Sequence, residues 1–187
     1  MRSQTFIFLL LLFWAQAAFA VPARVILIRH GEKPEQGPEL NERGWQRARG
    51  LVLFFKEDQA VNGFGAPTAL YAMAPKDEDG SVRAIQTLTP LAQNLRLSIH
   101  KDFKKKEVAR LAAEVMGDPA YTARTVVICW EHDWIPEILK ALGWNSGPDK
   151  WPGGQVYDRA WVLDFMGGKP GSFKDVPERI LPGDNED

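Results

Sequence analysis

The chain has 187 residues, of which 45% are hydrophobic and 25% are charged, a composition typical of one globular domain. This composition excludes a disordered or fibrous protein. The formal net charge is −1 at pH 7, so no global positive field attracts nucleic acid or an anionic membrane, and we expect neither as a partner.

The first 20 residues differ from the rest of the chain. Arg2 precedes an apolar run at 6–14, and residues 18–20 (Ala-Phe-Ala) supply the small side chains that a signal peptidase recognises. We predict a cleaved secretory signal peptide at 1–20 and a periplasmic or secreted mature chain, 21–187, without stable membrane insertion. The alternative is an N-terminal membrane anchor, but the run is shorter than the roughly 20 residues that a spanning helix needs.

The mature chain opens with a short apolar strand. Residues 25–28 (Val-Ile-Leu-Ile) are typical of a strand that is covered on both faces, and residues 29–30 (Arg-His) follow where it ends. After a loop at 34–38 that contains Pro and Gly, Asn41 is predicted to cap a helix that runs to about Lys56.

The remaining predicted elements continue the alternation of strands and helices. They are a strand at 69–72, a helix capped by Ser81 with Arg83 in its first turn, a helix over about 106–116, a strand at 125–129, a helix from near Pro136 to before Gly143, and a late strand at 159–164. The lysine run 104–106 is interpreted as a solvated helix start. This alternation predicts one three-layer α/β/α domain with a mostly parallel central sheet.

Basic side chains gather at one edge of this predicted sheet. Ligands in such sheets bind beyond the carboxyl ends of the strands. Arg29 and His30 follow one strand and His132 follows another, while Arg83 lies just beyond the loop after a third. We therefore expect these four side chains to share a pocket.

The residue types in this pocket indicate phosphoryl chemistry. Guanidinium groups present planar donors that fit phosphate oxygens, and a neutral imidazole can attack phosphorus. Gly31 leaves room for the backbone to approach a phosphate closely, and we expect a backbone carbonyl to hold the other nitrogen of His30 and keep the ring neutral. Two guanidiniums and an imidazolium neutralise the phosphoryl oxygens, so we expect no metal and no cofactor.

Four segments in chain order carry a more specific pattern. They are Arg29-His30-Gly31, residues 40–48 (LNERGWQRA), residues 81–87 (SVRAIQT) and His132. Together they resemble the histidine phosphatase superfamily, also called the phosphoglycerate-mutase-like family. The chain departs from the family pattern in two places: Arg47 stands between the glutamine and the alanine of the second segment, and the third segment has one residue fewer between Ser81 and Arg83.

The resemblance implies a histidine phosphatase-like domain over 21–187 with His30 as nucleophile. Arg29, Arg83 and His132 would hold the phosphoryl oxygens of a small phosphorylated substrate. Two carboxylates stand as candidates for the acid that protonates the leaving group, Glu107 and Asp133. The weaker candidates are Glu131 and Glu32, and a mechanism without a dedicated acid is also consistent with the family.

The predicted function is that of a phosphatase that hydrolyses a phosphomonoester or a related compound through a phosphohistidine. The alternatives are a phosphomutase and a non-catalytic module that binds phosphate or a phosphoprotein. Substrate choice is expected to depend on loops at 35–40, 76–80 and 145–158. In the last loop and beside it, Trp144, Trp151 and Tyr157 either form a pocket wall or cover the core.

Overall fold

The computed structural model describes residues 21–185, and the predicted signal peptide lies outside this range. The strands are β1 (Arg24–Arg29), β2 (Ala69–Ala72), β3 (Ile99–His100), β4 (Thr125–Trp130), β5 (Arg159–Met166) and β6 (Lys169–Pro177). The helices are α1 (Glu42–Glu57), α2 (Gln59–Asn62), α3 (Arg83–Leu95), α4 (Val108–Gly117) and α5 (Ile135–Ala141). None of the helices within 21–185 is long and apolar enough to cross a membrane.

The six strands form one sheet in the order β3-β2-β4-β1-β5-β6. The first four of these run parallel, whereas β5 pairs antiparallel with β1 and β6 pairs antiparallel with β5. Helix α1 packs against α3, and α4 packs against α5. The predicted layered α/β fold with a mostly parallel sheet is confirmed.

Apolar strands form the centre of the core. Every residue of β1 and β4 is buried, and the two strands pair in register from Arg24 with Thr125 to Arg29 with Trp130. Burial on both faces is the reason for their continuous apolar sequence. Because β1 and β4 are adjacent and parallel, the residues that follow them meet at one edge of the sheet.

Helix α1 begins where the sequence predicts it. The Asn41 side chain accepts a hydrogen bond from the backbone N–H of Gly44 at 2.8 Å, which caps the helix. Ala48, Leu51 and Phe55 are buried on its inner face. The helix extends one residue beyond the predicted end, to Glu57.

Two helix starts differ from the prediction. Ser81 does not cap α3, because the capping position is Val82. The N–H of Val82 donates to the Pro38 carbonyl at 3.1 Å, and this bond fixes the start of α3 against the loop before α1. Helix α4 starts at Val108 rather than near residue 106, because the Glu107 side chain accepts from the backbone N–H of Lys104 and closes a turn before the helix.

Candidate functional site

A cleft of about 730 Å³ opens at the carboxyl ends of β1, β2 and β4. Arg29, His30, Arg83 and His132 all line it, so the structure brings the four predicted residues together. Of the four candidates for the general acid, Glu107 and Glu131 line the cleft, whereas Asp133 and Glu32 do not. The catalytic roles of these residues remain predictions.

His30 is buried at the end of β1, with 4% of its surface exposed. Its Nδ1 lies 2.8 Å from the Gly31 carbonyl oxygen, so Nδ1 carries the ring proton and Nε2 keeps a free electron pair. Burial, together with the charges of Arg29 and Arg83, lowers the pKa of His30 to about 4 against the opposing effect of the Gly31 carbonyl. The ring is therefore neutral at pH 7. The expected carbonyl contact is present and fixes the tautomer, but burial and the neighbouring positive charges, not this contact, keep the ring neutral.

Arg29 is held from behind by the loop that precedes β5. Its Nη1 donates to the Val156 carbonyl at 2.9 Å, and its guanidinium lies over the Tyr157 ring, 3.8 Å from the centroid. Its buried Nε has no hydrogen-bond partner among the described residues, and a buried donor without a partner is costly.

The aromatic residues near this loop support Arg29 instead of forming a pocket wall. Trp151 donates its Nε1–H to the same Val156 carbonyl at 2.8 Å and packs against Trp161, with ring centroids 5.0 Å apart. Trp151 and Tyr157 are buried, and Trp144 stacks on Phe173. The structure therefore supports the interpretation that these aromatic residues cover the core. The contact between Tyr157 and Arg29 could not be predicted, because no local sequence pattern indicates it.

Arg83 lines the cleft from the first turn of α3. Its Nε donates to the Glu39 carbonyl at 3.0 Å, and its Nη2 donates to the Gly37 carbonyl. Two of its three nitrogens therefore hold the loop before α1. Arg83 thus joins the loop at 37–39 to the wall of the cleft.

Two further residues of α3 explain the pattern at 81–87. The backbone N–H of Gly31 donates to Thr87 Oγ1 at 2.9 Å, and the N–H of Leu40 donates to Gln86 Oε1 at 2.8 Å. Thr87 is fully buried and also donates to the Arg83 carbonyl at 2.8 Å. Helix α3 therefore positions both the His30 loop and the loop before α1.

Gly31 and Gly44 lie against each other where α1 begins. A Cβ on Gly31 would lie 3.0 Å from the Gly44 carbonyl oxygen, and a Cβ on Gly44 would collide with the Glu32 carbonyl oxygen. The missing side chain of Gly31 thus makes room for helix α1, a role that the sequence did not suggest.

Glu32 belongs to a buried ionic cluster behind the cleft. Arg47 Nη2 contacts Glu32 at 2.7 Å and Asp184 at 2.8 Å, and Arg47 Nη1 contacts Glu178 at 3.1 Å. These contacts raise the pKa of Arg47, so it stays charged despite its burial. Arg47, which departs from the family pattern, thus ties α1 and the segment after β6 to the residue next to Gly31.

His132 follows β4 in a short turn. Its Nε2 lies 3.3 Å from Asp133 Oδ1, and its buried Nδ1 has no partner among the described residues. Burial and then the charge of Arg29 lower the pKa of His132, against the effects of Asp133 and Glu131. The ring is therefore neutral at pH 7 in this arrangement, where we expected an imidazolium, and it carries a single N–H.

The two carboxylates that line the cleft are both engaged by positive groups. Glu107 accepts from the backbone N–H of Lys104 at 2.8 Å and from the Arg110 guanidinium, and these contacts lower its pKa. Glu131 forms an ion pair with Lys105. Asp133 is different, because 65% of its side chain is exposed and its contact is with His132.

One group of side chains has the composition of a metal site. Glu131, His132 and Asp133 each offer one ligand atom, and these atoms lie within 4.8 Å of one another. The ion pair of Glu131 with Lys105 and the contact of Asp133 with His132 compete with such an ion. Metal independence therefore remains a prediction to be tested.

Solved structures share this fold. The protein histidine phosphatase SixA, solved with tungstate, aligns with a TM-score of 0.58 and 14% identity over 83% of this chain and 97% of that one. A mycobacterial glucosyl-3-phosphoglycerate phosphatase gives a TM-score of 0.55 and 16% identity over 83% and 97% of the two chains. Phosphoserine phosphatase from Entamoeba histolytica, with 3-phosphoglyceric acid, gives 0.52 and 17% over 84% and 99%.

No protein-family model matches the sequence, and a comparison with curated proteins finds no match. The chain therefore shares its fold with the solved structures, although the sequence identity is low. The structural neighbours are members of the histidine phosphatase superfamily, and this chain has their phosphoglycerate-mutase-like fold.

Proposed function

We propose that the chain is a phosphatase that hydrolyses phosphate monoesters through a phosphohistidine at His30. The observation that carries the proposal is the state of His30: a buried, neutral ring whose Nδ1 is fixed by the Gly31 carbonyl and whose Nε2 is free to attack. A nucleophile needs an available electron pair at the working pH, and this arrangement supplies one.

The reaction has two steps. His30 Nε2 attacks phosphorus, the bond between phosphorus and the ester oxygen breaks, and that oxygen leaves as an alcohol after it gains a proton. Water then attacks the phosphohistidine, which releases inorganic phosphate and restores the imidazole. The guanidiniums of Arg29 and Arg83 neutralise the phosphoryl oxygens in both steps, and the neutral His132 can contribute a hydrogen bond but no charge. Neutralisation and positioning supply most of the catalysis in phosphoryl transfer.

For the proton donor we propose Asp133. A general acid must be protonated in the enzyme–substrate complex, and Glu107 is held as a carboxylate by the Lys104 N–H and Arg110. Asp133 adjoins His132 and forms no salt bridge with a lysine or arginine among the described residues, although the charge of Arg29 acts on it from a distance. Asp133 is exposed and lies outside the cleft lining, so the leaving group of the substrate must point towards the side of the cleft where His132 and Asp133 lie.

The structural neighbours support a phosphatase over other uses of this fold. The three described above are named as phosphatases that act on a phosphohistidine, on glucosyl-3-phosphoglycerate and on phosphoserine. Tungstate, which is bound to one of them, is a tetrahedral oxyanion like phosphate. We extend from the last two of them to this chain a small phosphorylated substrate. Catalysis without a metal is our own proposal from the two arginines of the cleft.

The test is phosphate release from a panel of phosphomonoesters, with and without a metal chelator. We expect turnover that the chelator leaves unchanged and that falls on the order of 10³-fold or more in His30→Ala. His100→Ala is the matched control, because His100 stacks on Tyr71 outside the cleft. An isomerised product without free phosphate indicates a mutase, and phosphate binding without turnover indicates a binding module; either result contradicts the proposal.

We also propose that residues 1–20 are a cleaved signal peptide and that the mature protein is periplasmic or secreted. The support is the sequence pattern of a basic residue, an apolar run and a small-residue cleavage site. Sequencing the N-terminus of the protein recovered from cell fractions tests this. A mature N-terminus near Val21 outside the cytoplasm supports export, and an intact Met1 in the membrane fraction supports the anchor.

A further inference from the structure

The cleft holds more positive charge than one phosphoryl group requires. Among the described residues, seven of the chain's 23 lysines and arginines line it, against two of its 24 aspartates and glutamates. Because the whole chain has a formal net charge of −1, this excess belongs to the cleft and not to the protein surface in general. Five of the seven are lysines, at positions 33, 76, 104, 105 and 106.

The two carboxylates of the cleft neutralise only a small part of this charge. Glu131 pairs with Lys105, and the Glu107 carboxylate is engaged by Arg110 from outside the cleft lining. Within residues 21–185, no carboxylate forms a salt bridge with the four remaining lysines, at 33, 76, 104 and 106. Our interpretation of 104–106 as a solvated helix start is therefore incomplete, because these lysines face the same cleft as His30.

The lysine segment is held in place by its own backbone. The Phe103 carbonyl accepts from the N–H of Ala74 at 2.8 Å, and the Lys105 carbonyl accepts from Trp130 Nε1 at 3.1 Å. The N–H of Lys104 donates to Glu107 at 2.8 Å. Buried Phe103 anchors the segment to the core, so its lysines are attached to a fixed backbone at the wall of the cleft.

The size and lining of the cleft suit a small molecule. Its volume of about 730 Å³ is in the range of small-molecule pockets, and Met73 and Ala74 add an apolar surface between the cationic groups. A lysine ammonium is a point charge that binds phosphate without fixed orientation, whereas a phosphoryl group at a reacting centre is better held by arginine forks. The charges of Arg29 and Arg83 act on the His30 ring, whereas four of the five lysines come from residue 76 and the segment 104–106.

We infer that the substrate is a small organic molecule with at least two phosphate groups. One phosphate is hydrolysed at His30, and the second is bound by Lys104 and Lys106. This inference rests on the proposed function, since it assigns the class of substrate to the same cleft. The bond that breaks is the one already described, and the second phosphate leaves with the product alcohol.

The experiment compares substrates that differ by one phosphate on the same sugar. We expect kcat/KM for fructose 1,6-bisphosphate to exceed the values for fructose 1-phosphate and fructose 6-phosphate by about tenfold or more, which corresponds to about 1.4 kcal/mol. In Lys104→Ala/Lys106→Ala this ratio should fall at least about fivefold, and added salt should lower it in the parent protein. The matched control is Lys101→Ala/Lys174→Ala, which also removes two exposed lysines but outside the cleft, and which should leave the ratio unchanged.

The outcomes separate this inference from the proposed function. If no compound releases phosphate, the proposed function fails, and calorimetric binding of the same sugars to His30→Ala decides the inference alone: tighter binding of the bisphosphate supports it. Equal kcat/KM values for mono- and bisphosphate, or an equal fall of the ratio in both double variants, overturn it. Faster hydrolysis of an acidic phosphopeptide than of any sugar phosphate would also overturn it, because the partner would then be a protein.

Discussion

The backbone N–H of Gly31 donates a hydrogen bond to the hydroxyl of Thr87 at 2.9 Å, and both groups are buried. This bond joins the residue after the proposed nucleophile to helix α3, which also carries Arg83. It therefore connects the end of β1, which positions His30, directly to the helix that positions Arg83. Any change that breaks the bond should disturb the position of His30.

Thr87→Val tests this relationship. The substitution keeps the volume of the side chain but leaves the Gly31 N–H buried without an acceptor, which should lower the free energy of unfolding by about 1–3 kcal/mol. Hydrogen exchange of the Gly31 amide should become at least about tenfold faster. Thr87→Ser retains the hydroxyl and is the control. Equal protection of the Gly31 amide in the two variants would show that the bond does not hold this loop.

His30 should remain neutral down to about pH 4. Burial lowers its pKa to about 4 from the usual 6.5, so NMR titration of the ring should show protonation near pH 4, and activity should not fall for lack of neutral His30 near pH 6.5. A ring that titrates near 6.5 would contradict the arrangement described for Nδ1 and Nε2.

The same shift has a consequence for stability. Between pH 6.5 and about 4 the unfolded chain binds a proton at His30 that the folded chain does not, so the parent protein loses stability as pH falls through this window. His30→Gln lacks this linkage, and its free energy of unfolding should depend less steeply on pH, by up to about 1.4 kcal/mol per pH unit. Urea denaturation at several pH values measures the difference, and parallel curves would count against it.

Glu178 provides an independent prediction away from the cleft. One buried arginine, Arg47, faces three carboxylates, and burial raises the pKa of Glu178 to about 8 although Arg47 acts against the shift. The folded chain therefore keeps a proton on Glu178 that the unfolded chain loses, so the contribution of this group to stability falls as pH rises from about 4.5 to 8.

Glu178→Gln should remove this pH dependence. Its free energy of unfolding should rise relative to the parent by up to about 1.4 kcal/mol per pH unit between pH 5 and 8 and then level off. Arg47→Met is the contrasting variant, since it leaves Glu32 and Asp184 without their main cation and should be destabilising by several kcal/mol. The quantity to compare is the free energy of unfolding of Glu178→Gln minus that of the parent. If this difference is smaller at pH 8 than at pH 5, Glu178 is not protonated in the folded chain.

The proton donor can be identified by the leaving group. With an alkyl phosphate the departing oxygen needs a proton, and Asp133→Asn should slow hydrolysis on the order of 10²-fold, whereas p-nitrophenyl phosphate should lose only a few-fold because its leaving group is already stable. Glu107→Gln is the matched control and should not discriminate between the two substrates. If Glu107→Gln rather than Asp133→Asn shows the selective loss, the donor is Glu107.

The elements that the sequence predicts are those with a local signal. The apolar runs of β1, β2 and β4 and the Asn41 cap of α1 have such signals, and the order of strands then places Arg29, His30 and His132 at one edge. In contrast, β6 has Pro, Gly and charged residues and lies at the sheet edge, so its sequence has neither alternation nor an apolar run.

The contacts that shape the site are mostly between distant parts of the chain. The bond from Gly31 to Thr87 spans 56 positions, and that from Arg29 to Val156 spans 127. No local pattern encodes which backbone carbonyl will meet Arg29 or which ring will lie beneath it. For the same reason the sequence suggested Glu107 as an acid, although the structure shows it engaged by Arg110 and the Lys104 N–H.

The central claim is that His30 becomes phosphorylated during turnover. The most direct measurement is rapid acid-free quenching of the protein with a radiolabelled phosphomonoester, followed by peptide mapping of the labelled protein. We expect an acid-labile phosphoryl group on the peptide that contains His30, formed and lost at rates that match turnover, and absent from His30→Ala but present in His100→Ala. Turnover without any labelled protein, or a label that persists in His30→Ala, would contradict the account.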